Sequence, residues 1–217
     1  YAMTKTNRYS QCGEELDIMN ELDRRGIADP VLYDYGAADG IAFSNTRRVL
    51  EDYPGSKAFM VEGSPEMTAA LLANTKCFGD RVLVASGVVA LPDSQLNPRR
   101  FVVADLVSTV SKEHEKTWAA SVNYRPILAA TFDAIDVLMS AVDFTKERCD
   151  VLSVDIEGIS SRITKYLLDV LAVRPSIIVC EQDSGWDSIM NRYVNGKKEY
   201  EVHEVYNTSG NVMLVRA

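Results

Sequence analysis

The sequence has 217 residues, of which 47% are hydrophobic, and a formal net charge of −8. This length suits one α/β domain over residues 1–217 and leaves little room for two. No apolar run approaches the roughly 20 residues of a membrane-spanning helix, and the N-terminus lacks the apolar core of a signal peptide. Because the basic residues are scattered, a broad nucleic-acid-binding surface is not expected either.

The cysteines and histidines exclude one class of metal site. Cys12, Cys77, Cys149 and Cys180 have neither CxxC pairing nor metal-ligand spacing, and the two histidines lie far apart in the sequence. A zinc site built from these side chains is therefore not expected. The pattern predicts a reduced, cytoplasmic protein without a membrane partner. The sequence does not specify an oligomeric state.

Apolar runs and helical patterns alternate in the first half of the chain. After an N-terminal helical segment at 1–30, the patterns predict a strand at 31–35, a short helix at 45–52 and a second strand at 57–62. The next helix is predicted in SPEMTAALLAN, where Ser64 is a good N-cap and a proline follows at the first helical position. This order is typical of β-α-β units.

The second half continues the alternation after an interruption. Residues 81–90 predict a third strand, and residues 91–126 are polar and irregular, which indicates an insertion with a hairpin around Phe101–Val103 and Trp118–Val122. The remaining predicted elements are a helix in TFDAIDVLM, a strand in CDVLSVDIEG, a helix marked by Ile163 and Leu167, a strand in SIIVCEQD, a helix in DSIMNRYV and a hairpin of EYEVHEVY and NVMLVRA around NTSG.

Together these elements predict an α/β fold. Strands that alternate with helices form a parallel sheet with helices on both faces, and a terminal hairpin adds one antiparallel strand. This is the architecture of the Rossmann-like class I methyltransferases, with a seven-stranded, mostly parallel sheet. In such folds ligands bind at the carboxyl ends of the strands.

Two features at those strand ends point to a nucleoside-containing ligand. In DYGAADG, Asp34 is followed by Gly36 and Gly40 in an acid-x-Gly-x-x-x-Gly spacing, which differs from the GxGxxG of nicotinamide- and flavin-binding loops. Glu62 ends the second strand, where an acid can accept hydrogen bonds from both ribose hydroxyls. Each feature alone also fits an ordinary strand-to-loop turn or a solvated strand end. Their separation by one strand-helix unit favours the binding site.

The stretch DIEG carries the candidate chemistry. Asp155 and Glu157 are two residues apart at a strand end, where alternation would aim both at one face if the strand continued. Such a pair can bind a divalent cation such as Mg²⁺ or take a proton from a hydroxyl nucleophile. Glu181, at the end of the next strand, could complete an acidic patch. The alternative is that these acids only orient the backbone of the loop.

Several ordered blocks together resemble a known family. Over roughly residues 9–217, five blocks occur in the order expected of the FkbM-type methyltransferases. They are SQCGEE, YDYGAADGIAFSNT, VEGSPEMTAALLAN, TFDAIDVL with CDVLSVDIEG, and RPSIIVCEQ. The resemblance implies an S-adenosylmethionine-dependent O-methyltransferase that acts on a hydroxyl of a small molecule or carbohydrate.

Carried over by position, the resemblance also implies site residues. The glycine loop would lie under the amino-acid part of the cofactor, the residues from Ser44 would open the next helix beside it, and Glu62 would hold the ribose. The implied cofactor-binding residues are Gln11, Asp34, Gly36, Ala37, Asp39, Gly40, Ser44, Asn45, Glu62, Gly63 and Ser64, and the implied catalytic residues are Asp155, Glu157 and Glu181.

The chain departs from the family pattern at two positions. Family members more often have a sequence such as KIDVEGAE, with a basic residue and a third acid where this chain has Ser153 and Ser160. A non-catalytic cofactor- or sugar-binding domain therefore stays open, as does a nucleic-acid ribose methyltransferase. The insertion carries Trp118 and Tyr124, aromatic residues suited to stacking on an acceptor, although a surface hairpin away from the site is an equal alternative.

Overall fold

The computed structural model describes residues 9–91, 99–104, 108–109, 111–134, 136, 148–170 and 174–217. The strands within these ranges are β1 (Val31–Tyr35), β2 (Lys57–Glu62), β3 (Val82–Ser86), β4 (Val88–Ala90), β5 (Arg99–Val103), β6 (Arg125–Ala129), β7 (Thr131–Asp133), β8 (Val151–Val154), β9 (Ile177–Glu181), β10 (Tyr200–Tyr206) and β11 (Asn211–Arg216).

The helices surround these strands. They are α1 (Glu14–Arg24), α2 (Arg47–Asp52), α3 (Pro65–Thr75), α4 (Lys112–Trp118), α5 (Ser160–Val170) and α6 (Trp186–Ile189), with a 3₁₀ segment at Lys76–Arg81 and a π-helical segment at Met190–Gly196. None of the helices within the described ranges is long and apolar enough to cross a bilayer.

A seven-stranded sheet forms the centre, in the order β10-β11-β9-β8-β1-β2-β3. The pairs from β9 through β8, β1 and β2 to β3 are parallel, while β11 runs antiparallel to both β9 and β10. The predicted sheet with one reversed strand and a terminal hairpin is thus confirmed.

Alternating side chains of the central strands build a core on each face. On one face Tyr33 and Leu152 belong to a buried cluster with Ile163 of α5. On the other face Leu32 belongs to a cluster with Leu22 of α1. Strands buried on both faces are nearly all apolar, which explains the continuous hydrophobic runs in the sequence. Polar residues concentrate where the strands end.

The predicted third strand at 81–90 is two strands, which corrects the sequence prediction. Gly87 has a φ of +158°, and a Cβ there would lie 2.1 Å from Cε2 of Phe132. At this glycine the chain leaves the main sheet, and β4 pairs with β7 as a separate parallel pair. Because glycine removes the steric bar to close approach, the kink is encoded at one residue inside an otherwise uninterrupted apolar run.

The predicted hairpin in the insertion is also corrected. β5 does contain Phe101–Val103, but its antiparallel partner is β6 at Arg125–Ala129, and the stretch around Trp118 forms helix α4 with a following turn. The true partner RPILA is rich in β-favouring residues, whereas KEHEKTW consists mostly of good helix formers.

The helix predicted in TFDAIDVLM begins later than expected. Thr131–Asp133 form β7, whose partner is β4, and the chain is helical at Ala134 and Asp136. Thr131 and Phe132 have high β-propensity, and pairing with β4 satisfies their backbone groups. Most of the remaining predicted helix lies outside the described residues, as do residues 1–8 of the N-terminal segment.

Candidate functional site

The loop after β1 packs tightly against the end of β8. Gly36 has a φ of +87°, and a Cβ at this residue would lie only 1.9 Å from the carbonyl oxygen of Asp155. The Gly36 and Ala37 N–H groups both donate to the carbonyl oxygen of Val61, at 2.9 and 3.1 Å. Only glycine fits this position, because any side chain would push the loop away from the two neighbouring strand ends.

The rest of the loop is fixed by its own side chains. One carboxylate oxygen of Asp39 accepts the N–H groups of Ile41 and Ala42, both at 2.8 Å. Gly40, with a φ of +72°, lies over the side chain of Leu71 in α3. Thr46 is the N-cap of α2, and the hydroxyl of Ser44 accepts the N–H of Arg47, the first residue of this helix, at 3.1 Å.

Glu62 lies at the end of β2 and faces this loop. Its side chain is 8% exposed, and its carboxylate accepts N–H groups from Ala38 at 2.9 Å and from Ser64 at 2.7 Å. Burial raises the pKa of Glu62, and the backbone N–H groups oppose that shift. Because an ionised carboxylate can accept about four hydrogen bonds, Glu62 keeps capacity for donors of a ligand.

A small cavity of about 60 Å³ opens beside Glu62. Gly63 forms part of its wall, since a Cβ there would lie 3.0 Å from Cγ2 of Val88 and 3.2 Å from Cζ of Phe101. Phe101 comes from β5 and is buried. The cavity therefore combines the carboxylates of Glu62, Asp155 and Glu157 with an apolar wall to which the insertion contributes Phe101.

A wider cleft of about 360 Å³, within the size range of small-molecule sites, adjoins this cavity and shares Gly36, Ala38, Asp155 and Glu157 with it. Most of the predicted site residues border one of these two spaces. Those in the cleft are Gln11, Asp34, Gly36, Ala37, Ser44, Asn45, Asp155, Glu157 and Glu181, and Glu62 and Gly63 border the first cavity.

Three carboxylates meet in the cleft. One oxygen each of Asp155, Glu157 and Glu181 lies within 4.8 Å of the others. The expected reason was continued strand alternation, and this is corrected: β8 ends at Val154, and a turn with Gly158 at a φ of +84° brings the acids together. Burial raises the pKa of Asp155 well above its usual range, and the charges of Glu181 and Glu157 raise it further.

The two serines that depart from the family pattern are part of this arrangement. Ser160 accepts the N–H of Ile156 at 2.8 Å and donates to the carboxylate of Glu181 at 3.1 Å. Ser153, buried on β8, accepts from the side-chain amide of Asn45 at 3.2 Å. The hydroxyls therefore occupy these positions as hydrogen-bonding groups without adding charge.

Asp34 lies under the loop and is almost completely buried. Its carboxylate accepts from the hydroxyl of Thr46 at 2.5 Å. Burial raises its pKa to about 6, against the opposing effect of hydrogen bonds from Thr46 and Ser153. A second polar group beside it, Oδ1 of Asn45, is buried without a hydrogen-bond partner among the described residues.

Three predicted residues border neither space. Asp39 and Gly40 shape the loop, and Ser64 caps α3 by accepting the N–H of Met67 at 3.4 Å while donating its own N–H to Glu62. Each space is also bordered by residues that the sequence did not indicate. They are Val88, Phe101 and Ser108 at the cavity, and Phe43, Thr208 and Ser209 at the cleft. Only the turn signal of NTSG could have indicated the last two.

Buried Glu14 fixes another side of the cleft. It accepts from the N–H of Cys12 and from the hydroxyl of Ser209, both at 2.7 Å, and from the amide of Asn211 at 3.1 Å. Burial raises the pKa of Glu14, but these hydrogen bonds outweigh it and leave the pKa lowered. α1 and the terminal hairpin are thus joined next to Gln11.

Comparison with solved structures places the fold. An O-methyltransferase from Bacillus cereus in complex with S-adenosylhomocysteine matches with a TM-score of 0.55 at 13% identity, over 98% of this chain and 84% of that chain. An RNA methyltransferase from Salinibacter ruber, also with S-adenosylhomocysteine, has a TM-score of 0.43 at 12% identity, over 92% and 88%. Aeropyrum pernix fibrillarin with bound S-adenosylmethionine has a TM-score of 0.43 at 11% identity, over 99% and 84%.

No protein-family model matches the sequence, and no curated protein matches it. The likeness to the Bacillus cereus structure, together with the strand order and the reversed β11, establishes a Rossmann-like class I methyltransferase fold. The fold expected from the sequence is confirmed. At this identity the likeness extends to the fold alone.

Proposed function

We propose that the chain is an S-adenosylmethionine-dependent O-methyltransferase of the FkbM type that acts on a hydroxyl of a small molecule or carbohydrate. One observation carries the proposal: in a class I methyltransferase fold, the glycine loop and the Glu62 carboxylate open onto one cavity, and three carboxylates gather in the cleft next to it. A nucleoside site and an acceptor site would therefore lie side by side.

The residues present fit the cofactor. Glu62 has acceptor capacity for the ribose hydroxyls, and Phe101 offers an apolar face for the adenine. Asn45 borders the cleft, and its Oδ1 has no partner among the described residues, which suits a donor such as the ammonium group of the cofactor. The close approach at Gly36 holds the loop against the end of β8, where the cavity and the cleft meet.

S-adenosylmethionine supplies an electrophilic methyl group on a sulfonium. The task of the chain is to align the acceptor oxygen with that carbon and to take the hydroxyl proton. We assign the uptake of this hydroxyl proton to the Asp155–Glu157 pair. Because burial and neighbouring charges raise the pKa of Asp155, this carboxylate is a stronger base than an exposed aspartate.

The same three carboxylates could also hold a divalent cation. Asp155, Glu157 and Glu181 each offer one oxygen, and carboxylate oxygens are the ligands that Mg²⁺ prefers. Such an ion would orient the acceptor hydroxyl and lower its pKa. A requirement for Mg²⁺ is therefore part of the proposal to be tested.

A nucleic-acid acceptor is disfavoured by the charge of the site. Within the described residues, the borders of the cavity and the cleft contain five acids and no lysine, arginine or histidine. Phosphate contacts depend on basic side chains, so a phosphodiester backbone would be repelled here. A binder without turnover is distinguished by product formation, as described for Asp155 below.

The proposal is tested by binding of S-adenosylhomocysteine to the wild type and to Glu62→Ala. Calorimetry should show micromolar-range binding that weakens by about 1.5–3 kcal/mol in the variant, the range for a hydrogen bond to a charged group. Glu66→Ala is the matched control, because Glu66 follows on α3 but its side chain is 61% exposed and pairs with Arg125. Equal affinity of wild type and Glu62→Ala would refute the ribose assignment.

A further inference from the structure

One buried hydroxyl joins the insertion to the turn that carries the acids. Thr109 is 1% exposed, and its hydroxyl donates to the backbone carbonyl of Glu157 at 2.6 Å. The same oxygen accepts the N–H of Ser111 at 2.9 Å. Both hydrogen-bonding functions of the hydroxyl are thus used inside the protein.

The backbone of Thr109 is held equally firmly. Its N–H and C=O pair reciprocally with those of Val102 at 2.9 and 3.0 Å, in an isolated antiparallel bridge. Val102 follows Phe101, which forms part of the apolar wall of the cavity beside Glu62. A continuous path of covalent and hydrogen bonds therefore runs from the wall of that cavity to Glu157, which borders both spaces.

The turn needs such support, because it lies beyond the end of β8. Glu157 is followed by Gly158 with a φ of +84°, and glycine is the residue that gives a backbone the most freedom in the unfolded chain. At the start of α5, the hydroxyl of Ser160 accepts the N–H of Ile156. From the insertion, the hydroxyl of Thr109 holds the carbonyl of Glu157.

We propose that Thr109 is a positioning residue: by holding the backbone of Glu157, it keeps that carboxylate in the cluster with Asp155 and Glu181, next to the transferable methyl group. The inference rests on the proposed function. It gives a role to a residue that borders neither the cavity nor the cleft. It also assigns the insertion a share in both halves of the site, since Phe101 and Thr109 belong to one hydrogen-bonded unit.

The test uses two cofactor analogues that differ in charge at the reacting position. S-adenosylhomocysteine is neutral there, whereas the amine analogue sinefungin carries a protonated amine in place of the methylated sulfonium. Because the cluster is anionic, the wild type should prefer the cationic analogue, and the ratio of the two dissociation constants reports how closely the carboxylates approach it. Calorimetry measures both constants, so no acceptor needs to be identified.

Three variants separate positioning from folding. Thr109→Val keeps the shape but removes the hydroxyl, and Thr109→Ser keeps the hydroxyl. Thr117→Val is the matched control, because Thr117 donates to a backbone carbonyl at 3.1 Å within exposed α4, in the same insertion. Thermal unfolding of each variant verifies that the native fold is retained.

We expect Thr109→Val to reduce the preference for the amine analogue about three- to tenfold, the range that the net contribution of one hydrogen bond corresponds to. Its affinity for S-adenosylhomocysteine should stay within about twofold of the wild type. Thr109→Ser and Thr117→Val should retain the wild-type preference.

An unchanged preference for the amine analogue in Thr109→Val would overturn the inference. An equal loss of affinity for both analogues would overturn it as well, because that result would indicate a role of Thr109 in the cavity beside Glu62. These outcomes leave the proposed function intact. A wild type that binds neither analogue would instead overturn the proposed function and, with it, this inference.

Discussion

Two walls of the site, which consists of the cavity and the cleft together, are built in different ways. The wall at residues 36–46 has local contacts, such as the bonds from Ile41 and Ala42 to the carboxylate of Asp39, and it also packs on the ends of β2 and β8. The wall formed by the described residues between 99 and 133 depends on partners that are far apart in the sequence: β5 pairs with β6 more than twenty residues later, and the hydroxyl of Thr109 donates to the carbonyl of Glu157. The described contacts of the first wall are thus partly local, whereas those of the second wall join segments that are distant in the sequence.

This difference has an energetic consequence. A local loop costs little entropy to close and fails mainly through steric or dihedral strain at a single residue. A wall of long-range contacts loses a graded amount of binding or rate when one contact is removed. We therefore expect substitutions in the first wall to abolish folding or cofactor binding outright, and substitutions in the second wall to reduce affinity or rate by a graded amount.

The largest effect is expected for Gly36→Ala. The new Cβ would lie 1.9 Å from the carbonyl oxygen of Asp155, and the φ of +87° is strained for alanine as well. We expect a loss of about 4 kcal/mol or more in the free energy of unfolding, at the extreme of single substitutions. Urea unfolding measures the stability, and calorimetry should detect no binding of S-adenosylhomocysteine.

Gly26→Ala separates the two causes. Gly26 has a φ of +67°, but a Cβ at this residue would have no other atom within 4 Å, so only dihedral strain applies. We expect a loss of about 1 kcal/mol there. Equal losses at Gly36 and Gly26 would show that close approach to β8 is not what requires glycine in the loop.

The next largest effect is expected for Asp155→Asn. A positioned general base contributes about 10²–10⁴-fold, so turnover of an accepted hydroxyl should fall by that factor while affinity for S-adenosylhomocysteine changes little. Radiolabelled methyl transfer measures the rate. Normal turnover in Asp155→Asn, with and without a chelator, would make the carboxylates structural.

The same variant reports on a divalent ion. If Mg²⁺ takes part, a chelator should reduce wild-type turnover as strongly as the substitution does, and added Mg²⁺ should restore only the wild type.

Because the pKa of Asp155 is raised in the folded state, ionising it costs stability as the pH rises. Asp155→Asn should therefore unfold at a higher temperature than the wild type at pH 7.

The main sheet was predictable because its signals are local. β1, β2, β8 and β9 are short apolar runs that end in polar residues, and Ser64 with the following proline marks the start of α3. The third-strand prediction was wrong in one respect, since the apolar run continues through Gly87 while the chain changes sheets. What decides that point is the ring of Phe132, more than forty residues away.

The site was predictable where side chains lie at strand ends. Glu62, Asp155 and Glu181 follow strands of the same parallel sheet, so topology alone brings them to one edge. Phe101 and Thr109 carry no such signal, because their places depend on the pairing of β5 with β6. The cofactor contacts assigned to Asp39, Gly40 and Ser64 remain predictions; in the structure Asp39 and Gly40 shape the loop, and Ser64 caps α3.

A smaller effect on the first wall is expected from Asp34 through pH. Burial raises its pKa from 3.8 to about 6, so the folded state keeps a proton that the unfolded chain has lost. The free energy of unfolding should therefore fall as the pH rises from about 4 to about 6, by up to about 3 kcal/mol, and stay lower above that. Urea titrations of Asp34→Asn should show a smaller slope than those of the wild type, with the part due to Asp155 retained, and a slope equal to that of the wild type would assign the whole effect to other groups.

The smallest effect is expected in the second wall, at Phe101→Leu. Leucine preserves an apolar side chain against Gly63 and Val88 but removes the aromatic face from the cavity. Stacking of a base on an aromatic ring contributes about 1–3 kcal/mol, so affinity for S-adenosylhomocysteine should fall by the lower part of that range. Phe132→Leu is the control, since Phe132 packs on Gly87 and borders neither space within the described residues. A loss in Phe101→Leu alone would place the adenine against the insertion and make this wall adjustable by side-chain choice. Equal affinities of both variants and the wild type would mean that the base lies elsewhere, and that the insertion serves the acceptor half of the cleft only.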